Sequence, residues 1–174
     1  MGICASTKEV GEDPIEELGK RMDNINIYYP GTDFSCLMDL NGDIVVDKNF
    51  GSSKEAADVL QNVFLMKKAS KHFSKTLDSK CRECEIVHIR GEYTILSMWI
   101  IKISLNNDDE NVKNKSKKNY KSEHTFVLMF KTKMMNNDPM KFDIDKTDKK
   151  MNLELMKEMT FYLKMHVANN MFSK

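Results

Sequence analysis

Leu37-Met38-Asp39-Leu40-Asn41-Gly42-Asp43-Ile44-Val45 and Val87-His88-Ile89-Arg90-Gly91-Glu92-Tyr93-Thr94-Ile95-Leu96 are the stretches that decide the fold. In each, an apolar run meets a short polar turn and a second apolar run, the pattern of a β-hairpin. The first predicts strands at Phe34 to Met38 and Ile44 to Val46, with Asn41-Gly42 supplying the positive φ angles of a tight turn. Its acids invite comparison with a calcium loop, but Gly42 comes too early for the D-x-[DN]-x-[DN]-G spacing, so a strand pair is the better reading. The second predicts strands at Glu85 to Arg90 and Tyr93 to Ile103, the latter apolar enough for the middle of a sheet.

Outward from the hairpins the elements are helical. Asp13-Pro14-Ile15-Glu16 joins an N-cap to a proline in the first turn, and Ile15, Leu18, Met22 and Ile25 then share a stripe that Tyr29-Pro30-Gly31 should end. Ser52-Ser53-Lys54-Glu55 opens a long helix over Ser53 to Leu77 whose apolar residues wrap further round than one sheet face requires. Composition changes abruptly at Asn106 to Ser122, where acids and then lysines replace apolar residues; this reads as a disordered hairpin insertion. Thr125 to Phe130 resumes as a strand antiparallel to the long one. The polar stretch Met134 to Lys150 leads to a last helix, Asn152 to Met171, with Met156, Met159, Leu163, Val167 and Met171 toward the sheet.

That order, one helix, two strands, a long helix, three strands and a helix, resembles the Roadblock family of dynein light chains and lysosomal scaffold subunits. The resemblance spans about Pro14 to Met171 and rests on pattern and the two hairpins. It implies an α+β fold: a five-stranded antiparallel sheet with the long helix on one face and the terminal helices on the other. It further implies dimerisation through an edge strand and the long helix, here Glu85 to Arg90 and Ser53 to Leu77, with Leu60, Val63, Phe64, Ile86 and His88 as partner-binding residues. A longin-like trafficking module shares much of this core, although it usually begins with a strand. A pleckstrin-homology-like sandwich has no place for the mid-chain helix.

The first residues, Met1-Gly2-Ile3-Cys4-Ala5-Ser6, fit the N-myristoylation pattern, with Gly2 as acceptor and Cys4 placed for a second, reversible acyl chain. One such chain binds a bilayer only marginally, and two hold a protein there. The expectation is a flexible acylated tail at residues 1–12, a single domain at residues 13–174, and a peripheral protein on the cytosolic face of a membrane.

Composition sets the limits. The chain has 174 residues, 41% hydrophobic and 30% charged, enough for one domain with a real core. A net charge of +1 supplies no field for nucleic acid, and no apolar run is long enough to span a bilayer. Four cysteines are too scattered for a disulfide scaffold; Cys81-Arg82-Glu83-Cys84 has half of a zinc motif without a second pair, and of His72 and His88, the candidates to complete a site, His88 falls within an apolar strand pattern, so no metal is expected. Phe50-Gly51-Ser52-Ser53 lacks the lysine and spacing of a P-loop. His72, His88, His124 and His166 belong to separate elements with no nucleophile motif beside them, so neither catalysis nor a cofactor is expected. The 14 methionines fall mostly at core spacing and read as packing residues. The chain is expected to be a lipid-anchored, non-enzymatic adaptor or scaffold. The alternatives are a longin-like trafficking module and a dynein-associated light chain.

Overall fold

Both hairpins form. β1 (Thr32–Asp39) pairs antiparallel with β2 (Ile44–Lys48), and β3 (Ile86–Arg90) with β4 (Thr94–Asn106). These elements come from a computed structural model that describes residues 13–51, 61–62, 86–106, 121–134 and 142–172. β5 (Lys121–Lys133), last in sequence, runs antiparallel between β1 and β4, so the five strands lie in the order β2-β1-β5-β4-β3. The α+β architecture read from the sequence holds, with β3 at a sheet edge.

The first turn differs from expectation. Of Asn41 and Gly42, only Gly42 takes a positive φ (88°). The Gly42 N–H donates to the Asp39 carbonyl (3.3 Å) and the Asp39 N–H to the Asp43 carbonyl (3.0 Å). This is a three-residue loop closed by a left-handed glycine, not a two-residue turn. The Asp39 carboxylate accepts from the Asn41 and Asp43 N–H groups at 2.8 and 2.9 Å. The acid that suggested calcium therefore holds the turn.

The central strands are longer than their apolar runs suggested. β4 and β5 stay in register from Thr94↔Lys133 to Asn106↔Lys121, so Asn106, Lys121 and Ser122, read as insertion, belong to the ladder. Polar residues can end a strand as long as their backbone finds a partner across it. Residues 107–120, the remainder of that insertion, lie outside the described residues.

One face of the sheet carries the terminal helices. α1 (Pro14–Asp23) starts as expected, with the Asp13 carboxylate accepting from the Ile15 N–H at 3.0 Å. It breaks at Asn24, and α2 (Ile25–Tyr28) adds one further turn. Leu18, Met22 and Ile25 are buried as the stripe predicted, but Ile15 is exposed. α3 (Ile144–Leu153) lies in the stretch read as a polar lead; Asp143 caps it by accepting from the Lys146 N–H at 3.0 Å. α4 (Leu155–Phe172) follows after Glu154.

Between helices and sheet lies the main core, where Leu18, Met22, Ile25 and Tyr29 meet Leu37, Trp99, Ile101, Ile103, Phe126, Leu128, Phe130, Met151, Met159 and Leu163. The opposite face has its own cluster of Cys36, Met38, Phe50, Met98, Val127 and Met129. Met22, Met38, Met98, Met129, Met151, Met156 and Met159 are all buried, so these thioethers serve as packing. Of the long helix expected over Ser53 to Leu77, only Gln61 and Asn62 are described; both are helical and exposed.

Candidate functional site

The β3–β4 register sets His88 opposite Ser97 on the helix-covered face. There His88 Nδ1 lies 2.8 Å from Ser97 Oγ, and Nε2 lies 2.7 Å from Asp148 Oδ2 on α3. The Tyr29 hydroxyl donates to the other oxygen of the same carboxylate. The Tyr29 ring packs on Phe130 and Phe142, with centroids 4.9 and 5.4 Å apart. Burial, then the bond to Asp148, pushes the Tyr29 phenol far above its ordinary range, so it is a neutral donor. Facing a carboxylate, His88 Nε2 must carry a proton. In the neutral ring Nδ1 then accepts from the Ser97 hydroxyl.

A serine, a histidine and an aspartate in a chain suggest nucleophilic catalysis. Access decides against that use, because Ser97 is 0% exposed and lies under the helices. A nucleophile must reach its substrate, and this hydroxyl faces protein. What the arrangement does is physical: it ties α3 to the edge strand through β3 and β4, and to the end of α2 through Tyr29. Sequence reasoning placed His88 among four histidines on separate elements and did not single out Asp148, 60 residues away. The available signal was a histidine and a serine on the inward face of two apolar strands, which require partners.

The other described histidines, His124 and His166, do not converge on it. His124 bonds with Ser122, and His166 with Asn170 at 3.1 Å. Both line an open cleft of about 560 Å³ at one end of the sheet, beside the β1–β2 turn. Among the described residues, no group of three His, Cys, Asp or Glu side chains is placed to hold a metal ion. A second cleft, of about 410 Å³, runs between α3–α4 and the β3–β4 edge and is lined by Trp99, Ile101, Leu153, Met156 and Lys157. The indole N–H of Trp99 is buried there without an acceptor.

The expected partner-binding residues are placed as follows. Leu60, Val63 and Phe64 lie outside the described residues, as do the acylation candidates Gly2 and Cys4, and Cys81, Cys84 and His72. Ile86 and His88 are on β3 but face the terminal helices: Ile86 packs on the main core and His88 joins the Asp148 bridge. Their neighbours Val87 and Ile89 face the opposite side of the sheet, Val87 against the second cluster and Ile89 exposed. Alternation along the strand makes the separation unavoidable once register is fixed. Of the phosphate candidate, Gly51 has a φ of 103°, and Ser52 and Ser53 lie outside the described residues. Among the described residues, no helix is long and apolar enough to cross a membrane.

The chain matches no protein-family model and no curated protein. It is, however, similar in fold to solved structures. One described as MglB with tetrameric arrangement is 13% identical with a TM-score of 0.51, the match covering 87% of this chain and 90% of that one. Myxococcus xanthus MglB is 12% identical with a TM-score of 0.51, over 90% and 91% of the two chains. A Roadblock/LC7 domain from Streptomyces avermitilis is 14% identical with a TM-score of 0.52, over 83% and 96%. At such identities the likeness shows the fold: a Roadblock-type sheet and helices.

Proposed function

We propose that this chain is a non-enzymatic adaptor, a Roadblock-like module that pairs with a second copy or another protein and is held on the cytosolic face of a membrane by acyl chains on Gly2 and Cys4. The observation that carries the pairing is β3, a short strand that ends the sheet with Ile89 exposed on the side away from the terminal helices. An edge strand with an apolar residue on its open face is a template for another chain. The assembly named for the similar MglB structure, a tetramer, supports the same reading.

The lipid half rests on the sequence of residues 1–6. Two acyl chains supply the residence that one does not. From Gly2 to the N-cap at Asp13 the chain can reach roughly 35 Å, which lets a folded module stand clear of the bilayer.

Two measurements test the two halves separately. Membrane flotation from the native host is expected to show the wild type in the membrane fraction, Gly2→Ala soluble and Cys4→Ser partly released. If all three are soluble, the anchor is refuted. Sedimentation velocity of the purified protein is expected to show a dimer or larger species, weakened by Ile89→Asp. A monomer at every concentration refutes self-pairing and favours the longin-like reading.

A further inference from the structure

Lys146, Lys149, Leu153, Lys157, Phe161 and Lys164 follow one another along α3 and α4 at intervals of three or four residues. Glu154 between the helices stays in the right-handed region but off regular helical values (φ −104°, ψ −72°), so the six residues follow the outer side of two helices and form a ridge that bends there. Leu153 is 62% and Phe161 56% exposed, among the most exposed large apolar side chains described. Lys146, Lys149 and Lys157 are exposed and Lys164 is half-buried. The ridge alternates apolar groups with cations.

Three of the four acids of the same helices are engaged by partners. Asp148 faces inward to His88 and Tyr29, Glu154 accepts from the Tyr28 hydroxyl at 2.7 Å, and Glu158 pairs with Arg21 of α1. Asp145, Glu154 and Glu158 are exposed; the last two are engaged by Tyr28 and Arg21, and Asp145 lies in the first turn of α3, where the helix dipole favours an acid. α4 thus buries Met156, Met159, Leu163 and Val167 on one side and still sets an aromatic ring outward among lysines.

We infer that this ridge is a contact surface for an anionic lipid bilayer. Isolated apolar side chains flanked by lysines are what a headgroup layer accepts, the apolar groups entering it and the long cationic stems reaching the phosphates. The tail also enters at α1, whose first residues lie against the end of α4 beside His166 and Met171. Acyl chains on that tail and the ridge can therefore meet one plane, and the domain acquires a fixed orientation on the membrane. The inference rests on the anchor reading only for what brings the ridge to a bilayer.

The test uses full-length protein made without acylation, so that the result is independent of Gly2. Binding is measured by co-sedimentation with phosphatidylcholine vesicles, with and without phosphatidylserine, and oligomeric state is measured on the same samples. The protein is expected to bind the phosphatidylserine vesicles and to leave the others nearly unbound. Lys149→Glu with Lys157→Glu should lower that binding more than about tenfold, since each lysine near a charged membrane is worth about fivefold. Leu153→Ser with Phe161→Ser should weaken it further than the control Tyr93→Ser, an exposed aromatic on the β3–β4 turn. Absence of phosphatidylserine-dependent binding overturns the inference. So does binding that survives both ridge variants, which would locate the contact elsewhere. Ridge variants that dissociate an oligomer while leaving vesicle binding intact would make the ridge a protein interface instead.

Discussion

Removing the Asp148 carboxylate tests whether the buried bridge holds the helix layer to the sheet edge. Asp148→Ala deletes the acceptor of both the Tyr29 hydroxyl and His88 Nε2. A hydrogen bond to a charged group contributes about 1.5–3 kcal/mol. The His88 and Asp148 side chains are 16% and 14% exposed, so water can partly replace that bond and its share falls at the low end. Tyr29 is 0% exposed, and its orphaned hydroxyl carries the fuller desolvation cost. The sum is a loss of about 3 kcal/mol for Asp148→Ala and about 1 kcal/mol for Tyr29→Phe, which removes the hydroxyl together with its need. Urea unfolding followed by circular dichroism measures both. A double-mutant cycle of His88→Ala with Asp148→Ala should show coupling above about 1 kcal/mol, as expected for residues of one network. A loss under about 0.5 kcal/mol for Asp148→Ala, or additive single losses, would refute the bridge as a structural link.

Other consequences follow from single groups. Burial, with Asp47 adding to it, pushes the Cys36 thiol up to about 12, so iodoacetamide at neutral pH should leave the Cys36 peptide unmodified in native protein and alkylate it in urea. Tyr29 is held neutral above its unfolded value of 10.0, so its contribution to stability is complete below about pH 10 and declines as pH rises beyond it; Tyr29→Phe should flatten the alkaline limb of a stability-against-pH curve. His166 is shifted the other way, below 6.5, chiefly by burial, so stability falls as pH drops through that range, and His166→Gln should reduce the slope. Gly42→Ala forces a left-handed φ of 88° on a residue with a Cβ and should cost about 1 kcal/mol in the same unfolding assay.

What the sequence shows clearly is what depends on neighbouring residues. The hairpins, the Asp13 cap and the stripe of Leu18, Met22 and Ile25 all come from short-range patterns, and each appears in the structure. α3 was hidden because Asp145, Lys146, Asp148, Lys149 and Lys150 make it look like solvated loop; its inward side needs only Ile144, Asp148 and Met151. The ladder ends Asn106 and Lys121 were hidden for the related reason that strand pairing satisfies backbone and not side chains. The His88 bridge lay beyond reach altogether. It depends on which helix crosses the edge strand, a fact set by tertiary packing that leaves no periodic trace.

The placement of polar groups separates the two sides of the sheet. On the helix side the charges of α1, α3 and α4 are spent on one another, as Glu17 on Lys20 and Arg21, Glu158 on Arg21, and Asp148 on His88. What remains outward there is the lysine and apolar ridge. On the other side Cys36, Met38, Met98, Val127 and Met129 are already a buried cluster with Val87 packed against it, and Ile89 is left exposed at the β3 edge. An exposed apolar group on an edge strand suits a protein partner, since burying it strands no charge. Membrane contact by the ridge and pairing at the β3 edge therefore need not compete. In the proposed reading they use opposite sides of one sheet, so a module joined to a partner at the edge would keep the ridge free for a bilayer.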